Sequence, residues 1–455
     1  MATDATIAER PAPPKGRLSF PMLMLRMIGN PVASWGEDFY QEKVVRYRWL
    51  GRETLFVMDP ALIQAILLDD ADSYSKQPLN DDVFGAAIGG GLLNAEGDDW
   101  RWQRRLAAPL FRAEDVLGFV PIFAAACEPV LKRWRESPQG AAQAIDKDMT
   151  RATLLALQDT VLGASLGEDE RSLIEQSGAS FLAHSIWKVA LTSLHLPPSL
   201  PHPGSRAMVR DGRRLREVAR RVLAKARGSG GDELLQRLVT ARDPATGEVM
   251  PDALIVDNVV TFLIAGHETT SQALTWTLYL LALFPEWQEA VRQEVRGVAG
   301  DGAIGRENLA KLPLLDAVFQ EAMRLYPPAP VLMRRTIAPV TLGGMELGAG
   351  TTITIPVYVV HRHRRLWREP LKFDPSRFAA EAKATRHRCA HMPFGAGPRT
   401  CIGGTFAMVE GKTMLATLLG QASFALPEGE RPTPFARITL RPKEGLKLNV
   451  TMLKT

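Results

Sequence analysis

Cysteine is scarce in this chain: Cys127, Cys389 and Cys401 are the only three among 455 residues. An odd, sparse set builds no disulfide framework and fits a reducing compartment, here the cytoplasm, so the core must hold the fold. Long apolar runs are scarce as well. Residues 21–28 are apolar, but the stretch is too short to span a bilayer and Arg26 interrupts it. The longest apolar segment, residues 252–284, carries six polar residues in a row at its centre, His267 to Gln272, which lipid would penalise. No membrane anchor is expected. The first 18 residues are polar and proline-rich, a loose tail in composition and not a secretory leader. Charge of one sign is not in excess either: 55 Lys+Arg against 50 Asp+Glu leaves +5, too little to argue for nucleic acid. Internal repeats and low-complexity tracts are absent. No GxGxxG follows a strand-like run, which excludes a fused dinucleotide or flavin module.

What is present is ordinary globular material, with 46% hydrophobic and 23% charged residues, ample for a buried pocket. A tail over 1–18 and one domain over 19–455 are expected. Strand-like runs at 44–49 and 53–58 flank Leu50-Gly51-Arg52 as a hairpin. Helical patterns fill 116–135, 149–162, 206–226, 288–298 and 314–325. Further strand-like segments lie at 340–342 and 351–356, and a last helix starts near Cys401 and runs toward Leu419. Residues 252–284 form the longest pattern, about 50 Å at 1.5 Å per residue. Asp252 at its start suits the helix dipole, and Pro285 ends it. A helix apolar on nearly every side belongs in the middle of the molecule. The fold class is therefore mainly α with a minor β region. Two basic runs, 206–227 and 361–368, read as solvated faces or, alternatively, as docking surfaces for an acidic partner.

The chemistry concentrates at residues 394–403, FGAGPRTCIG. A thiolate ligand needs little bulk around it, and Gly395, Gly397 and Gly403 let the backbone turn and approach a flat group. Cys401 precedes a helical pattern, whose free N–H groups favour a charged sulfur. Arg399 supplies positive charge for a carboxylate. Ahead of it stand three shorter motifs: WRWQR at 100–104, AGHETT at 265–270 and EAMR at 321–324. Trp100 and Arg104 lie one turn apart and share a face. Gly266 leaves room beside a ring plane, and Thr269 can bond back to a helix carbonyl. Glu321 and Arg324 share a helix face as opposite charges.

These four segments, in this order, resemble the cytochrome P450 family. Phe394, Gly397, Arg399, Cys401 and Gly403 match every fixed position of its FxxGxRxCxG loop. The resemblance implies that family's fold, a long central helix over a haem with small antiparallel sheets. It also implies haem b, an iron protoporphyrin, with Cys401 on the iron. Trp100, Arg104, Arg334 and Arg399 would meet the propionates, while Phe394, Gly397, Gly403 and Gly266 shape the ring's surroundings. Glu268 and Thr269 resemble the family's proton-delivery pair. Glu321, Arg324 and Arg377, the last from FDPSRF at 373–378, resemble a buried network that holds the cysteine loop. The implied reaction inserts one atom of O2 into a hydrophobic small molecule, with electrons from a separate ferredoxin or flavodoxin-type donor and its reductase. That donor is expected to dock near 361–368 or 386–388. By the same resemblance the pocket is lined by residues 84–93, 261–269 and 329–333, with 181–187 as a roof. Two rivals stay open: a peroxygenase or isomerase on the same fold, and a haem-thiolate sensor without catalysis.

Overall fold

The computed structural model describes residues 11–14, 16–76, 79–163, 166–194, 196–197, 199–228, 233–300 and 303–453, with 79–82 by backbone alone. Residues 1–10 and 15 of the expected tail lie outside this set. Within it, Pro14 is buried and the Arg17 guanidinium rests 5.0 Å from the Tyr47 ring.

The hairpin near residue 50 forms as expected. Leu50 and Gly51 both take positive φ, 48° and 73°, the conformation of a tight two-residue turn joining β1 (Val44–Trp49) to β2 (Arg52–Val57). With β3 (Tyr74–Ser75), β4 (Leu332–Thr336) and β5 (Thr352–Ile355) they make a five-stranded sheet ordered β1-β2-β5-β4-β3. One pair departs from the antiparallel expectation: β2 runs parallel to β5, with Leu55 opposite Ile353. A parallel pair needs a crossover, and here most of the chain lies between its strands.

The helices that position the site are α1 (Phe20–Gly29), α2 (Gly97–Ala107), α3 (Ile145–Leu157), α4 (Glu168–Ser193), α5 (Ser205–Gly228), α6 (Asp252–Leu283), α7 (Pro285–Ala299), α8 (Pro313–Leu325) and α9 (Gly404–Gln421). Helix α6 is the expected central helix, ending one residue short of the sequence boundary. Trp276 on α6 stacks on Tyr326 at 4.0 Å and 8°, and its indole N–H donates to the Leu440 carbonyl at 3.0 Å. Such a ring pair is worth about 0.5–1.5 kcal/mol beyond its burial. Part of the polar patch is satisfied within the helix: Thr270 donates to the Gly266 carbonyl and Ser271 to that of Glu268.

One expectation fails and one long helix was not read. The pattern over 116–135 is not one helix but three short ones, Ala113–Leu117, Val120–Ala125 and Glu128–Glu136. Pro121 and Pro129 each sit in the first turn of a new helix, where a missing N–H costs nothing, and so cut the pattern. Conversely, α4 gave no clear signal. Ser177, Gly178, Ser180 and Ser185 interrupt its apolar stripe, although Phe181, Leu182 and Ile186 are buried.

The expected charge network forms below α8. Glu321 and Arg324 are fully buried and paired through two contacts of 2.6 and 2.7 Å. Arg324 also donates to the carbonyls of His361, Pro370 and Lys372, at 2.8 to 2.9 Å, and Glu321 accepts the Asp374 N–H. Arg377 approaches Glu321 at 3.5 Å, an ionic contact without hydrogen-bond geometry. The pair thereby fastens two backbone stretches, at 361 and at 370–374, to α8. Arg324→Ala, which strands a buried carboxylate, should cost about 3–5 kcal/mol, while Arg377→Ala should cost distinctly less. Chemical denaturation measures both, and equal losses would contradict this ranking.

Glu410 on α9 is a second buried acid. Its Oε2 has no partner, and burial pushes its pKa up to about 8, the neighbouring Thr270 hydroxyl offsetting part of the rise. In the unfolded chain this carboxyl ionises near its ordinary value. Between that value and about pH 8, unfolding therefore releases a proton, and rising pH favours the unfolded state. Melting curves should show Glu410→Gln matching the parent at pH 5 and exceeding it at pH 8. The same gap at both pH values would contradict the assignment.

Candidate active site

The loop carrying Cys401 is folded by its glycines. Gly395 and Gly397 both take φ +74°, and a Cβ on Gly397 would lie 1.8 Å from the Leu67 carbonyl oxygen, so no other residue fits there. Gly403 differs: its φ is −88° and a Cβ added there would meet nothing within 4 Å, so its smallness leaves open space and not a turn. Helix α9 starts at Gly404, three residues past Cys401. The Cys401 N–H donates to the Phe394 carbonyl at 2.9 Å, closing the loop.

Cys401 opens into a cavity of about 500 Å3, whereas Cys127 and Cys389 are buried bystanders, as expected. The Cys401 side chain is open to this space yet deep within the protein. Burial raises its pKa, a backbone N–H from Gly403 and the charge of Arg104 offsetting part of the rise. Across the cavity α6 contributes Ala265, Gly266 and Thr269. The missing side chain of Gly266 faces α3, where a Cβ would lie 2.9 Å from Leu157, so tight helix packing also demands the glycine. Thr269 donates to the Ala265 carbonyl at 2.7 Å, and the helix stays continuous. Glu268 is buried beside the cavity without lining it, its Oε1 accepting from the Thr439 hydroxyl at 3.0 Å. The acid and the alcohol are thus neighbours in sequence with separate partners.

All five charged residues lining the cavity are basic: Lys76, Arg104, Arg334, Arg399 and Arg437. The first four gather at the Cys401 side. Arg104 donates to the Thr400 carbonyl at 3.1 Å, and the Arg399 guanidinium lies 4.0 Å over Trp100. Glu96 is their one carboxylate, pairing with Arg399 at 2.8 Å. Arg334 is pushed down to about 10, by burial first and then by Arg399; Lys76 is pushed down to about 7 by burial and by both arginines. Lys76 and Glu96 were not singled out from sequence, because neither belongs to a spaced motif.

Four bases, Arg334 buried and the other three partly so, share one acid and form a site short of negative charge, which a ligand with two carboxylates would supply. A lone thiol does not hold a metal by itself, and among the described residues no group of three His, Cys, Asp or Glu could do so. A metal already held in a macrocycle with two carboxylates meets both constraints, so the residues present fit a haem.

The comparisons with known proteins decide the family: the cytochrome P450 model matches residues 11–450. The chain belongs to the cytochrome P450 family. It is 34% identical to a cytokinin hydroxylase of Arabidopsis thaliana, over 91% of this chain and 81% of that protein. It is 30% identical to cytochrome P450 4B1 of Rattus norvegicus, over 96% and 89%. The crystal structure of the cytochrome P450DA heme domain superposes with a TM-score of 0.82 at 26% identity, covering 99% of each chain. Family and fold make this chain a haem-thiolate monooxygenase whose iron is coordinated by cysteine, and Cys401 is the cysteine placed for it.

The expected P450 pocket segments line the cavity: Phe84, Ile88, Leu92 and Leu93, residues 329–333, and Leu182 and Ile186 above. Met27 at the end of α1, Pro31 just after it and the loop 437–439 also line it, and sequence reading missed them because none belongs to a spaced motif. The basic run at 361–368 needs correction as a docking surface. His361, Arg362 and His363 are buried, Arg362 lying 3.7 Å over the Tyr358 ring, and Arg386 packs on Trp367 and Phe378. Arg364, Arg365, Arg368 and Arg388 remain exposed. On α5 the arginines are largely solvated, except Arg216, which pairs with Asp257 of α6.

If the four bases hold the haem carboxylates, Arg334→Leu and Lys76→Met should each speed haem transfer to apomyoglobin by about tenfold, the scale of one charged hydrogen bond. An unchanged rate for both would assign the cluster to another ligand.

Proposed function

We propose that this P450 oxidises a hydrophobic small molecule held between α6 and the Cys401 loop, with Glu268 and Thr269 managing protons and a separate acidic carrier supplying electrons. The observation that carries this reading is the cavity itself. Apart from its bases, its lining is mostly apolar, and it brings Cys401, Gly266 and Thr269 to one space. A pocket of this size and character suits a small apolar ligand with few polar anchors.

When bound, the haem supplies the oxidising chemistry, which thiolate ligation biases toward O–O cleavage. The chain does the rest. Trp100, Arg104, Arg334, Arg399 and Lys76 would hold the propionates. Phe394, Gly397 and Gly403 keep the loop backbone close and the ring face uncrowded. The Thr269 hydroxyl lies in the cavity, anchored on Ala265, where it can pass a proton to a bound molecule. Glu268 is the nearest acid to it along α6, and its hydrogen bond to Thr439 holds the carboxyl one step back from the cavity. Proton delivery through this pair then requires Glu268 to exchange Thr439 for a water or for Thr269.

A ferredoxin or flavodoxin-type donor with its reductase is the carrier proposed. The exposed Arg364, Arg365, Arg368 and Arg388 and the net charge of +5 support an acidic partner. The three free cysteines support a reducing, cytoplasmic setting. Among the described residues no helix is long and apolar enough to cross a membrane.

The test is the source of the product oxygen. Turnover under labelled O2 with a reducing system should place one labelled atom in the product, whereas oxygen drawn only from added peroxide would make this chain a peroxygenase. Thr269→Ala and Glu268→Gln should each lower product formed per electron pair by about 10² or more, the scale of a positioned proton donor, with ligand affinity retained. Full coupling in both variants would remove the pair from the mechanism.

A further inference from the structure

The fifth basic residue of the cavity stands apart from the other four. Arg437 lies in the loop between β6 (Pro434–Ala436) and β7 (Leu440–Pro442). Its Nη1 donates to the carbonyls of Ile28 and Gly29 at 2.9 and 2.7 Å, capping the last turn of α1. The guanidinium lies 4.3 Å over the Phe435 ring. Among the described residues, no carboxylate comes within ion-pair distance of Arg437 and no acceptor takes the protons on Nε or Nη2. Burial lowers its pKa, and the neighbouring Arg441 lowers it further.

Capping α1 accounts for Nη1 alone. It does not explain why a half-buried guanidinium lines a cavity without a counter-charge, an arrangement that costs free energy until an anion arrives. The edge left over is informative. Nε and Nη2 lie along one edge of the planar guanidinium and form the two-donor fork that fits a carboxylate. The bonds to α1 and the ring of Phe435 fix that plane in advance, so little side-chain freedom remains to be lost. Beside Arg437 the lining is apolar, with Met27, Pro31 and Ile438.

We propose that Arg437 is a specificity-determining residue that binds the carboxylate of an amphipathic substrate, a carboxylic acid whose apolar body fills the cavity toward Cys401. The proposal rests on the monooxygenase reading above and adds the substrate class to it.

The test uses the haem-loaded enzyme and three probes with one apolar chain: dodecanoic acid, its methyl ester and 1-dodecanol. Spectral titration reads the affinity of each. The acid should bind the parent enzyme about tenfold or more tightly than the ester or the alcohol, the scale of a charged hydrogen bond. Arg437→Gln should abolish that preference by weakening the acid alone, and Arg437→Lys, a point charge without the fork, should restore it in part. The parent comparison stands even if the variants fold poorly. Equal affinities in the parent enzyme, no response to any probe, or an equal loss for acid and ester in Arg437→Gln would overturn the proposal. Failure of the monooxygenase reading looks different: the acid would still bind preferentially, but its product would contain no oxygen from O2.

Discussion

An unbalanced charge inside an apolar cavity is the constraint on which the rest of this structure depends. Among the described residues, five basic side chains and no acidic one line the space beside Cys401. Lys76 and Arg334 are buried enough for their pKa values to fall, so each is held at an electrostatic cost that Glu96 offsets in part and an incoming anion would offset further. The surrounding scaffold keeps these groups in place. Trp100 on α2 lies under Arg399, Glu96 ties Arg399 to the chain at Lys76, and Gly397 lets the cysteine loop press against residue 67. The Glu321–Arg324 pair fixes the backbone of 361, 370 and 372 to α8 and carries no chemistry of its own. Haem-thiolate chemistry is thus prepared by a shell that is incomplete in charge and complete in geometry.

The β6–β7 hairpin connects parts of the cavity that the sequence keeps far apart. Arg437 caps α1, Thr439 holds the carboxylate of Glu268, and the Leu440 carbonyl accepts from Trp276. One short loop therefore touches α1, the acid of the central helix and the Trp276 indole of its aromatic stack. A ligand that shifts this loop would alter the partner of Glu268, which couples occupancy of the pocket to the proton-bearing group. The second buried acid, Glu410 on α9, lies beside the same helix near Thr270.

What could be read from sequence divides along physical lines. The central helix was legible to within a residue because a long apolar stretch bounded by Pro251 and Pro285 has few other solutions. The cysteine loop, Trp100 with Arg104, and Glu321 with Arg324 were legible because their spacing is local. Lys76, Glu96, Arg437 and Thr439 were not, since each acts through partners distant in the chain and none carries a local pattern. The reason behind some correct residues also changed. Gly266 faces Leu157, Gly403 needs no unusual backbone, and Arg377 makes a contact without a hydrogen bond. Periodicity misled where proline reset the helix at 121 and 129, and it fell silent over α4, where serines break the stripe. The basic run at 361–368 misled because composition does not distinguish a solvated arginine from Arg362, which is buried against Tyr358.

The central claim is a bond from the Cys401 sulfur to porphyrin iron, and one spectrum tests it most directly. Haem-loaded protein, reduced and exposed to carbon monoxide, should develop the strongly red-shifted Soret band of a thiolate-ligated carbonyl complex, and Cys401→Ser should lose that band while Cys127→Ser and Cys389→Ser keep it. A reduced carbonyl spectrum without this band in the parent protein, or with the band intact in Cys401→Ser, would contradict the account.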